Sequence, residues 1–141
     1  MQLFSHDDKA DALGRAALFS NLSRSQLVEL ARRTEDMEVE AGKTLAREGE
    51  IGQEFFVIVD GDVVVTKDGE EIRRLGPGEF FGEIALVWDS PRRTATVTAA
   101  GPLRFFVLTR QNFRSLIAHQ PEIEEKVLAA LEERVKATEA H

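Results

Sequence analysis

The chain has 141 residues, 43% of them hydrophobic, with no cysteine and a formal net charge of -7. That length suits one domain, 1–141, with a real core; the lack of cysteine removes disulfides and thiolate metal sites and fits a reducing cytoplasm. The acidic balance argues against a nucleic-acid partner, because phosphate-backbone recognition needs a basic face. A local cationic pocket can still hold one small anion, since charges farther than about 8 Å are screened. No run of about 18 uncharged apolar residues exists to cross a bilayer, and the acids of MQLFSHDDKAD stand too close behind its short apolar patch for a secretory signal. The expectation is a soluble chain without membrane contact.

The first part, about 1–34, is expected to be helical. LSRSQLVELARR carries a helix start in which Ser23 is the N-cap, Gln26 completes a capping box, and Leu22 and Leu27 are spaced as a hydrophobic staple. From about 35 to 108 the pattern changes to short β-rich runs, FFVIV, VVV, EIRRL, TATV and RFFVL. Turn signals at Asp60-Gly61, Asp68-Gly69, Gly76-Pro77-Gly78 and Gly101-Pro102 separate them. No room is left for crossover helices, so the fold class is mainly β: an antiparallel β-roll, a double-stranded jelly roll, with flanking helices. In the last part, 109–141, Thr109 is placed to cap TRQNFRSLIAH, and Pro121 suits the first turn of a helix through Ala137. Ile123, Val127, Leu128, Leu131 and Val135 recur at three-to-four spacing along it, and its acids and bases suit the helix dipole.

The stretch FFGEIALVWDSPRRTATVTA sets an acid and two adjacent arginines among small and apolar residues. A one-turn helix beginning near Glu83 would aim the backbone N–H groups of Ile84 and Ala85 at an anion. An arginine a few residues on adds a forked, permanently charged donor, and Glu83 can accept hydrogen bonds from a polyhydroxyl group. Such a pocket suits a phosphate joined to a sugar.

Phe81-Gly82-Glu83-Ile84-Ala85-Leu86 followed by Pro91-Arg92-Arg93-Thr94-Ala95-Thr96-Val97 resembles the phosphate-binding cassette of the cyclic nucleotide-binding domains, found in the protein kinase A regulatory subunit, the catabolite activator protein and cyclic nucleotide-gated channels. GQEFFVIVDGDVVV is similar to that family's glycine-bracketed hairpin. The resemblance implies a non-catalytic sensor with cAMP as ligand and cGMP tolerated, and no cofactor. It implies that Glu83 binds the ribose 2′-hydroxyl, that an arginine pairs with the cyclic phosphate, and that backbone amides complete the cradle. The usual Pro-Arg-x-Ala-Thr is one residue longer here, so Arg92 and Arg93 compete for the phosphate; Arg93 is preferred because a loop absorbs an insertion more easily than a strand absorbs a slip. Thr94 then stands where a hydroxyl favours guanine in some members. The final helix would fold over the base, with Leu128, Leu131 and Val135 as the candidate lid.

Other readings have their own requirements. A cupin-type metal site needs histidines on the strands, whereas His6, His119 and His141 lie outside the roll; Ser90 has no histidine near it to act as a base. A non-binding interaction scaffold of the same fold is the alternative, with Glu83 and an arginine as a buried ion pair. Trp88 and Phe55, Phe56, Phe80, Phe105 and Phe106 are read mainly as packing. The output partner is unnamed by the sequence, and a homodimer is left open.

Overall fold

A computed structural model describes residues 6–87 and 92–139. The chain divides into two compact units, one made of the segments up to Arg33 and from Gln111, the other running from Thr34 to Arg110.

The first unit is helical. Helix α1 spans His6–Arg15, a 3-10 turn Ala17–Phe19, and helix α2 Arg24–Ala31. The capping box of α2 is formed on both sides: Ser23 Oγ accepts from the Gln26 N–H at 3.2 Å, and Gln26 Oε1 accepts from the Ser23 N–H at 2.9 Å. Helix α1 was not among the elements expected. Five of its ten residues are charged, and among its described side chains only Ala10 and Leu13 are buried, too few to make a clear stripe. The last two helices, α4 (Arg110–His119) and α5 (Pro121–Glu139), start where Thr109 and Pro121 place them. Lys126 of α5 donates to Gln26 at 2.8 Å, and Asn112 of α4 donates to the Arg33 carbonyl at 3.1 Å. Of the α5 stripe, Ile123 and Val127 are fully buried, Leu131 is half-buried and Leu128 is exposed. Among the described residues no helix is long and apolar enough to cross a membrane.

The second unit is the roll. Its strands are β1 (Glu35–Val39), β2 (Thr44–Ala46), β3 (Glu54–Asp60), β4 (Val63–Lys67), β5 (Glu70–Leu75), β6 (Phe80–Phe81), β7 (Thr96–Ala99) and β8 (Leu103–Thr109). They form two four-stranded sheets of order β1-β8-β3-β6 and β2-β7-β4-β5. Every strand pair is antiparallel, as the short turns require. The inward side chains of the two sheets, including Phe56, Ile58, Val65, Leu75, Val97 and Phe105, make one apolar cluster. Strand β8 is also tied to β1 by polar contacts: Arg104 donates two hydrogen bonds to the Asp36 carboxylate, at 2.6 and 3.1 Å. That hydrogen bonding raises the Arg104 guanidinium pKa above its ordinary value.

The turn between β4 and β5 starts the hairpin that carries Arg73, and a register shift between Val65 and Thr66 then places Arg73 opposite Val65. Asp68 and Gly69 have φ of 52° and 82°, the two left-handed residues of a type I′ hairpin, closed by the Lys67–Glu70 pair. Nothing lies within 4 Å of a Cβ built on Gly69, so its constraint is purely one of backbone. Gly69→Ala should therefore destabilise the protein by about 1 kcal/mol. Gly101→Ala, with open space and no positive φ, should change stability by less than about 0.5 kcal/mol. Urea unfolding of the two variants checks the difference.

Candidate functional site

Strand β3 supports the site from within the core. Its run Phe55–Ile58 is wholly buried, with Phe56 stacked on Phe81 at 4.6 Å between ring centroids and paired to it in register. Phe81 thus anchors the end of β6 in the core. The chain then turns through Gly82, whose φ is 83°, into the one-turn helix α3 (Ile84–Val87). The Ala85 N–H donates to the Gly82 carbonyl at 3.0 Å and the Leu86 N–H to the Glu83 carbonyl at 3.1 Å. This corrects the expectation that the Ala85 amide stands open to an anion: the tight turn already uses it.

The two arginines occupy different environments. Arg92 is exposed, makes an isolated bridge with Ile51, and donates from Nη1 to the Gly49 carbonyl at 2.8 Å. The Arg93 backbone is held on the same loop, its N–H given to the Glu50 carbonyl and its own carbonyl taking the Gly49 N–H, each at 2.8 Å. The Arg93 side chain runs inward. Its Nη2 donates to the Glu54 carbonyl at 2.8 Å, and its Cζ stands 5.8 Å from the centroid of Phe56.

Two glycines make the slot for that guanidinium. A Cβ on Gly82 would stand 2.7 Å from both Arg93 Nη1 and the Glu54 carbonyl oxygen, and a Cβ on Gly52 would overlap the Arg93 guanidinium itself. Among the described residues no carboxylate is within ion-pair distance of Arg93. Burial pushes its pKa down from the ordinary value, and the charges of Glu54 and Glu83 pull the other way. Arginine stays protonated regardless. The result is a partly desolvated cation bonded to a neutral carbonyl, with Glu83 near enough to be felt and too far to pair with it.

A cavity of about 140 Å³ opens on this group, with Gly82, Glu83, Ala85, Arg92 and Arg93 in its wall and Thr94 exposed at its edge. Phe81, Gly82, Glu83, Ala85, Arg92, Arg93 and Thr94 are thus brought to one place. Trp88, Ser90 and Pro91 lie outside the described residues, as do the side chains of Ile84 and Val135.

Sequence reasoning missed Arg73, which also lines the cavity. It stands opposite Val65 and two residues before buried Leu75, so it shares their inward face. The same alternation sends Arg74 to the other face, where it pairs with Glu71. The sequence signal is the spacing of Arg73 to Leu75 in EIRRL. No hydrogen-bond or ion-pair partner takes the Arg73 guanidinium among the described residues. Among those residues no cluster of histidine, aspartate and glutamate could hold a metal ion.

The family model for the cyclic nucleotide-binding domain matches residues 36–120. A cyclic nucleotide-gated potassium channel of Rhizobium etli is 39% identical over 118 residues, 83% of this chain and 33% of the channel. A CRP-like cAMP-activated global transcriptional regulator of Mycobacterium tuberculosis is 31% identical over 133 residues, 91% of this chain and 59% of the regulator. The chain therefore spans less than two thirds of these relatives. The crystal structure of the N-terminal domain of a transcriptional regulator from Streptomyces coelicolor superposes with a TM-score of 0.81 at 30% identity, covering 92% of this chain and 94% of that one.

The slot can be tested without a ligand. Gly52→Ala should displace the guanidinium from the Glu54 carbonyl and shift the Arg93 Nε–H resonance in the NMR spectrum. The lost hydrogen bond should cost about 1 kcal/mol in stability. An unmoved resonance would show that Gly52 does not set the position of Arg93.

Proposed function

The chain belongs to the cyclic nucleotide-binding domain family, and from that premise we propose that it is a sensor module for cAMP, with cGMP tolerated, that has no chemistry of its own. The observation that carries the reading is the half-buried Arg93 guanidinium, which faces a cavity and has no carboxylate partner among the described residues. A cyclic phosphate entering there would give the cation a counter-charge in a desolvated place, where the attraction is least screened. Glu83, in the same wall, would accept from the ribose 2′-hydroxyl. The cAMP assignment is supported by the name of the Mycobacterium tuberculosis regulator, described as cAMP-activated.

Occupancy would be passed on through α5. A helix with one apolar stripe must bury it, and this stripe is only partly buried, with Leu128 exposed and Leu131 half-buried. Those two side chains, with Val135, are the proposed lid. A ligand shifts such a helix only by binding one of its positions better than the other.

The test is the affinity ranking of the two arginines. Arg93→Ala should lose about 2 to 5 kcal/mol of cAMP binding, more than tenfold at either limit. Arg92→Ala, which gives up an exposed bond to Gly49, should lose much less. Calorimetric titration of both variants measures the ranking, and its reversal would move the phosphate to Arg92.

One observation favours a second reading, cGMP selectivity. Arg73 offers only donors to the cavity, and guanine presents two acceptors on one edge, O6 and N7, where adenine presents N7 beside a donor amine. Thr94 at the cavity edge points the same way. Direct competition decides: a tenfold preference for cGMP that disappears in Arg73→Ala would establish the second reading. Parity, or a preference for cAMP, would leave cAMP as the ligand.

A further inference from the structure

The turn that faces the cavity is supported from behind by a third arginine. Arg110 is the first residue of α4 and the last of the β-roll unit. It is buried, 8% exposed, and its Nη1 donates to the Ala85 carbonyl at 3.2 Å. Its backbone N–H donates to the Gln53 carbonyl at 2.8 Å. The next carbonyl along, that of Glu54, is the one that takes Arg93 Nη2. Consecutive carbonyls of one peptide segment thus hold two arginines. Arg93 reaches the front of the turn at Gly82, and Arg110 reaches its back at Ala85.

We infer that Arg110 is a positioning residue for the ligand-binding turn and that it transmits the position of that turn to the first turn of α4. The argument is geometric. Gly82–Ala85 is a tight turn with a left-handed glycine, joined to a helix of only four residues, and so short a helix has little stability of its own. A buried charged donor on the Ala85 carbonyl fixes the place of a residue engaged at both ends, its amide by Gly82 and its carbonyl by Arg110. If a ligand moves the turn, this bond must stretch, break, or carry Arg110 along. Arg110 cannot follow without moving the start of α4, because it is that start. The ligand part of the inference rests on the cyclic-nucleotide reading of the site; the support of the turn does not.

Two variants, Arg110→Gln and Arg110→Lys, and two measurements separate these parts. In the ligand-free protein, hydrogen exchange of amides 84–87 should accelerate in Arg110→Gln, while that of 55–58 and 105–108 stays as in the wild type; Arg110→Lys, which keeps one charged donor, should restore most of the protection. Equal exchange in wild type and Arg110→Gln, or a uniform acceleration throughout the roll that lysine does not repair, would overturn the positioning role. With cAMP as the probe, Arg110→Gln should bind about tenfold more weakly or worse, the scale of a lost hydrogen bond from a charged donor, with lysine again intermediate. At saturating cAMP the wild type should change protection at 111–119 and Arg110→Gln should not; a change retained in the variant would overturn the transmission. A wild type that binds no cAMP would sink the cyclic-nucleotide reading and the transmission with it, while the ligand-free comparison would still decide whether Arg110 holds the turn.

Discussion

The site depends on one arrangement: the Arg93 guanidinium lies in a slot between two glycines, on a backbone carbonyl, with no carboxylate among the described residues close enough to neutralise it. Arg104 shows the contrast within the same roll. It meets Asp36 with two hydrogen bonds, and its pKa is raised; Arg93 meets a neutral oxygen, and burial lowers its pKa. The first is a completed pair that fastens two strands. The second is incomplete among the described residues and faces a cavity, and a half-buried charge without a counter-ion is a cost that the surrounding fold must offset.

The rest of the roll fixes where that charge sits. Strand β3 pairs with β8 on one side and β6 on the other, so the Glu54 carbonyl and the Gly82 turn are set by ladders on either edge of one strand. The loop from Gly49 to Gly52 meets Arg92 and Arg93 through backbone bonds in both directions. A backbone bonded in this way cannot slip by one residue without turning every side chain to the opposite face. That is the physical reason one arginine points in and its neighbour out.

Much of this was legible in the chain itself. Turn glycines and β-rich runs gave the roll, and Ser23 with Gln26 gave α2, because those signals are local: a cap or a left-handed turn involves residues three or four apart. Helix α1 was not, because its charged sequence buries little more than Ala10 and Leu13. Residues Phe81 to Thr94 were legible as a motif, yet the partners of Arg93 were not. Gly52 and the Glu54 carbonyl are some forty residues away and act through space and backbone, and no side-chain chemistry in the sequence announces them. Arg73 was readable in principle from its spacing to Leu75, but only once Leu75 is known to face inward. Arg110 was read as the first residue after a helix cap; its bond to Ala85 depends on a tertiary contact that nothing local encodes.

On the proposed function, a half-buried cation that no described carboxylate pairs suits a binding site better than a closed ion pair would. If Glu83 closed on Arg93, the pair would be satisfied without a ligand, and an incoming phosphate would have to compete with a carboxylate already in place. Keeping Glu83 within electrostatic reach of Arg93 but not ion-paired with it leaves, on that proposal, one group for an anion and one for a hydroxyl, so a ligand that joins the two would gain both contacts at once. Anything that binds the folded protein alone stabilises it by an amount that grows with the logarithm of its concentration, about 2.7 kcal/mol at a hundred times Kd. The term that weakens the empty roll is therefore the one a ligand reverses. The Gly82–Ala85 turn beside the cavity is itself bonded through the Ala85 carbonyl to Arg110, the first residue of α4.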